Sequence, residues 1–180
     1  ELGHHWVKAK LNKEAYLSLV KEVTEDIMQD LPKLKVIKQP KVKFDKDIMA
    51  VVPLGDPHVG MLAWHKETGQ DWDLDIAEQI YGQAAIRTIT SIPPCSEFTI
   101  LNLGDFFHYD NFEGTTSRSG HIVDRDSRFP AMIASGMRII RRFIDLALEH
   151  HKTVRVINVT GNHDDVGSIW LNVTLPMIYE

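Results

Sequence analysis

Three short apolar runs, each ending in a glycine followed at once by a metal-competent side chain, constrain this chain more than any other feature. Residues 48–54 lead into Gly55-Asp56, residues 98–103 into Gly104-Asp105, and residues 154–159 into Gly161-Asn162. Helical patterns separate them. Residues 74–90 repeat Leu74, Ala77, Ile80, Tyr81, Ala84 and Ile89 behind Asp73 as a cap. Residues 130–149 carry Pro130 in the first turn, with Met132, Ile133, Met137, Ile140, Ile144 and Leu148 on the expected inner face. A last helical segment starts near Ser168 and stops or kinks at Pro176. Alternation of this kind predicts an α/β fold with a mostly parallel sheet and flanking helices. In such a sheet, ligands bind beyond the carboxyl ends of the strands. All three glycine-led turns are therefore expected on one rim, where glycine lets the backbone turn sharply and approach a ligand.

Ahead of these runs lies a different region. Asn12 caps a predicted helix over 12–31, with Tyr16, Val20, Val23, Ile27 and Leu31 at helical spacing, and Pro32 closes it. A lysine-rich stretch through Lys46 reads as a solvated linker. The expected division is therefore 1–47, a helix and linker, and 48–180, the domain that carries chemistry. Its single cysteine, Cys95, excludes a disulfide framework and points to a cytoplasmic setting. No apolar run is long enough to span a membrane. Residues 51–180 hold ten Lys and Arg against seventeen Asp and Glu, a balance of −7. That is a poor surface for phosphate on its own, but it suits carboxylates that hold cations and so reverse the local potential.

The side chains beyond the strand ends are Asp56 and His58, Asp105 and His108, and Asn162, His163 and Asp164. All are oxygen or imidazole donors without a thiolate, a set suited to Mn²⁺, Fe or Zn²⁺ in a reactive site. Asp56-Pro57-His58, Gly104-Asp105-Phe106-Phe107-His108 and Gly161-Asn162-His163-Asp164 resemble, in order, the first three motifs of the calcineurin-like metallophosphoesterases. Residues 48–180 carry that resemblance. It implies the N-terminal half of that family's sandwich and two divalent ions, most simply Mn²⁺. Asp56 and His58 are then expected to ligate the first, Asp105 to bridge both, and Asn162 to ligate the second. His163 is expected to face the scissile phosphate, with Asp164 orienting its ring, and the nucleophile to be hydroxide formed on the cations.

The second motif resembles the DNA-nuclease branch with its SbcD-type exonucleases, which makes His108 a second phosphate-facing histidine and DNA a candidate partner. Phosphodiester hydrolysis is the leading expectation. A phosphomonoesterase and a non-catalytic scaffold of the same fold stay open beside it. The family completes its ligand set with a later histidine and a Gly-His-x-His motif, whereas no histidine follows His163 here. Those ligands are expected beyond Glu180, in a longer protein of which this chain is a piece. Outside the motifs, His150 and His151 are expected to sit at a helix end and favour its dipole. Trp64, Trp72 and Trp170 are expected to pack. Arg118, Arg125 and Arg128, in the loop after the second motif, are open to substrate phosphate.

Overall fold

The structure, a computed structural model, describes residues 37, 38 and 40–179, all within one compact unit, Leu34–Glu180. The helix expected over 12–31 lies outside the described residues. Three parallel strands form the sheet in the order β1 (Asp45–Leu54), β2 (Cys95–Asn102) and β3 (Thr153–Asn158). Helices α1 (Leu74–Ser91) and α2 (Phe129–His150) make the two crossovers, and α3 (Asp165–Tyr179) follows β3. A single helical turn, His65–Thr68, decorates the first crossover. The α/β parallel arrangement expected from the sequence is the one found. Among the described residues, no helix is long and apolar enough to cross a membrane.

β1 begins at Asp45, three residues ahead of the expected run, because the Asp45 N–H reaches the Pro94 carbonyl at 2.9 Å and Asp45 pairs with Cys95. The register is irregular between Asp45 and Met49, so the extension is a bent entry to the strand. Inward positions of the sheet bury Val52, Leu54, Phe98 and Ile100 against the helices. The opposite face leaves Met49 and Val51 largely exposed.

α2 supplies more of the core than any other element, with Met132, Ile133, Met137, Ile140, Phe143 and Ile144 buried along one stripe. α1 packs on α2 through Leu74, Ala77, Ala85 and Ile89, and Asp73 caps it by accepting from the Ile76 N–H at 2.7 Å. Ile80, expected on the inner face, is 48 % exposed. Six residues beyond Leu74 it lies about a third of a turn off the buried stripe. α3 starts three residues before the expected Ser168 and runs through Pro176 to Tyr179, whose hydroxyl donates to Asp145 at 2.6 Å.

Two local expectations fail. His151 is wholly buried, stacked on Phe98 with centroids 4.4 Å apart, and its Nδ1 lies 3.2 Å from the Cys95 thiol. Burial holds its pKa below the ordinary histidine value, so it packs as a neutral ring and offers no charge to the helix end. Trp64 is half exposed, with the Lys66 ammonium 4.9 Å from its ring. The short turn that carries it stands out from the sheet and has no core to enter.

Candidate metal centre

Strand register brings the three motif loops together. Leu54 pairs with Asn102, and Asn102 pairs with Asn158, so the strands end side by side. The loops then interlock. The His58 N–H donates to the Asp105 carbonyl at 3.0 Å, Val59 N–H to Phe106 at 2.8 Å, and His108 N–H to Val59 at 2.9 Å. The pleat of the sheet is thus continued for one more step by loop backbone, and it sets His58 and His108 next to each other.

The third loop is fixed by carboxylates. Asp164 is fully buried, and its Oδ2 accepts from the Phe106 N–H at 2.8 Å while its Oδ1 accepts from the Gly161 N–H at 2.9 Å. Asp105 Oδ1 accepts from the His163 N–H at 2.8 Å. Gly104 lies so close to Gly161 that a Cβ on the former would meet the latter's N and Cα at 2.9 Å. A Cβ on Gly161 would overlap both the carboxylate and the amide nitrogen of Asp105. Glycine is required here by contact, since Gly161 has no left-handed backbone to demand it. Gly161→Ala is therefore expected to push Asp105 out of place, at about 1–3 kcal/mol of stability. Its sharper sign is loss of Mn²⁺ binding in isothermal titration while the fold, followed by circular dichroism, persists.

Three imidazoles meet at the centre. Single ligand atoms of His58, His108 and His163 all lie within 4.8 Å of one another. The Nδ1 atoms of His58 and His108 are 3.1 Å apart, and the His163 ring stacks on that of His108 at 5.6 Å between centroids. Burial first, then the neighbouring imidazoles, hold the His108 pKa down at about 4. Burial and His163 lower that of His58 against the opposing pull of Asp105 and Asp56. Both rings are thus neutral near pH 7 and keep the lone pairs a cation needs. The His163 Nδ1 lies 2.8 Å from the His108 backbone carbonyl, which can only accept, so Nδ1 carries the proton and Nε2 is the reactive end.

This geometry corrects one expected role and rearranges others. Asp164 does not orient the His163 ring: both its oxygens are taken by the backbone of neighbouring loops, and the His108 carbonyl holds the ring instead. His108 is a buried member of the imidazole group. Asp105 and His58 lie half-buried in the same cluster, and Asp56 is exposed beside His58, on which its charge acts. Asn162 is exposed on the adjoining loop, its backbone carbonyl accepting from the Ser117 hydroxyl at 2.9 Å. The donor set therefore fits divalent cations. The imidazoles of His58 and His108 offer nitrogen donors, the charge of Asp105 acts on His58, and His163 lies next to both rings.

Asp110 escaped the sequence reading. It is buried, and its two oxygens accept from the N–H groups of Val166 and Gly167 at 2.6 Å each, capping α3. That cap, together with the Ser168 N–H bonded to the Asp164 carbonyl at 2.8 Å, starts the helix at Asp165. Its one sequence signal was a carboxylate two residues past His108, without the local spacing of a cap, because its helix is 56 residues away. Comparison with protein-family models, curated proteins and solved structures finds no match to this chain.

Proposed function

We propose that this chain carries metal-binding residues of a phosphodiesterase of nuclease type, with two Mn²⁺ ions as the simplest occupants. The observation that supports this reading is the meeting of His58, His108 and His163 at one rim beyond in-register strands, with Asp105 bonded to the His163 amide, in motifs ordered as in the calcineurin-like metallophosphoesterases. Bound cations would supply Lewis-acid polarisation of the phosphoryl oxygen and lower the pKa of water at the site.

The chain's own residues have distinct tasks in this reading. Asp105, held by the His163 amide, contributes a fixed negative charge that acts on His58. Hydrolysis forms one P–O bond from water and breaks the P–O bond to the leaving alcohol. One water proton goes to the departing oxygen and the other to solvent. His163 is suited to deliver the former, since its Nδ1 is committed to the His108 carbonyl and its Nε2 is left to exchange a proton. Asp164 keeps the second and third loops in register, so that this nitrogen and the cations meet the same phosphate.

The test is hydrolysis of bis(p-nitrophenyl) phosphate by the protein, with Mn²⁺ and after chelation, beside the monoester p-nitrophenyl phosphate. Mn²⁺-dependent turnover that favours the diester is expected. A preference for the monoester would select a phosphomonoesterase instead. No turnover of either, with no Mn²⁺ bound in titration, would leave only the scaffold.

A further inference from the structure

We infer that Arg118 is the residue that holds the phosphate next to the scissile one, which makes the substrate a polynucleotide strand; this rests on the phosphodiesterase reading above. The loop after the second motif is braced internally and tied to the third motif. Asn111 bonds Thr115 through side chain and backbone, and Ser117 donates to the Asn162 carbonyl at 2.9 Å. The next residue, Arg118, reaches Asp165 with Nη2 at 3.3 Å from Oδ1. Its guanidinium is thus held at the first residue of α3, directly after the third motif.

The loop's other arginines are placed differently. Arg125 donates to the Phe112 carbonyl at 2.7 Å and lies 5.6 Å over the Tyr109 ring. Arg128 is the N-cap residue of α2. Among the described residues, Arg118 is the loop arginine that pairs with Asp165, the residue directly after the third motif.

Two further facts point the same way. The amino end of α3 would ordinarily attract an anion, but Asp110 already occupies its Val166 and Gly167 N–H groups. A second phosphate arriving there must be met by a side chain. The Arg118–Asp165 pair is also loose, with the two side chains 60 % and 43 % exposed. Exposed pairs of this kind contribute little, so the guanidinium can leave its partner for a phosphate and grip two oxygens at once. A small diester without a second phosphate has nothing for Arg118 to hold.

The experiment compares kcat/KM on single-stranded oligonucleotides, deoxy and ribo, with that on bis(p-nitrophenyl) phosphate. In Arg118→Gln the oligonucleotide-to-small-diester ratio is expected to fall about tenfold, through KM. The log–log salt dependence of oligonucleotide binding should weaken by about 0.7, one phosphate's share. Anisotropy of a labelled oligonucleotide on the His163→Ala background reads that binding without turnover. Asp165→Asn breaks the same ion pair but frees Arg118, so its ratio should hold or rise. The deoxy and ribo arms show which strand is preferred. An unchanged ratio in Arg118→Gln, or an equal fall in Asp165→Asn, would overturn the assignment. If wild-type protein cleaves the small diester but no oligonucleotide, the Arg118 role alone fails. If it cleaves neither, the phosphodiesterase reading fails and this inference falls with it.

Discussion

Asp105→Asn is expected to abolish stabilisation by Mn²⁺ while leaving the metal-free protein as stable as the wild type. The substitution is nearly isosteric and keeps Oδ1, so the amide of His163 keeps its acceptor at 2.8 Å. What it removes is one negative charge from a cluster that already contains Asp56 and Asp164 near His58. Without a cation that charge brings no benefit, so its loss should change metal-free stability by less than about 1 kcal/mol. With a cation the balance reverses. Even an outer partner of a metal ligand is worth roughly 10–100-fold in affinity or activity, so the carboxylate itself should be worth at least about 100-fold. A ligand present at 100 times its Kd stabilises the folded state by about 2.7 kcal/mol, and that increment should vanish. The measurement is thermal melting of both proteins across a Mn²⁺ series. An unaltered Mn²⁺ response in Asp105→Asn would remove Asp105 from the site.

The second large effect is on the fold itself. Asp164→Ala is expected to destabilise the protein by about 2–5 kcal/mol in urea, with or without metal, since one buried and one part-buried N–H donor lose their partner at roughly 1–3 kcal/mol each. Those donors, on Phe106 and Gly161, belong to different motif loops, so the loss should also loosen the centre. Asn at this position should recover less than half. Its carboxamide keeps one accepting oxygen but turns an NH₂ toward the other N–H. A destabilisation below about 1 kcal/mol would mean that Asp164 does not bind the loops together.

These two residues also show how far the sequence could be read. The glycine-ended apolar runs were sufficient for the strands, their parallel order and the rim, because strand period and turn chemistry are local. They also put His58, His108 and His163 on one rim, which followed from the topology alone. The roles within the cluster were not local. Whether Asp164 meets an imidazole or two backbone amides depends on how closely Gly104 and Gly161 approach. Whether His108 lies at the surface or inside depends on the Val59 and Asp105 carbonyls that clamp the first two loops. His151 looked like a helix-end charge because the Phe98 ring that buries it is more than fifty residues away.

Asp56, His58 and Asp105 all hold left-handed backbone, with φ of 43°, 44° and 49°. Such a conformation costs about 1–2 kcal/mol for a residue with a side chain, least for aspartate. Here the burden is met when the protein folds, before any ion arrives. Capture of a cation should then leave these loops in place, and its speed should be governed by how fast the ion sheds its own water. Preorganisation of this kind has a visible signature: backbone amide spectra of the metal-free and a diamagnetic-metal-loaded protein that differ only at the rim.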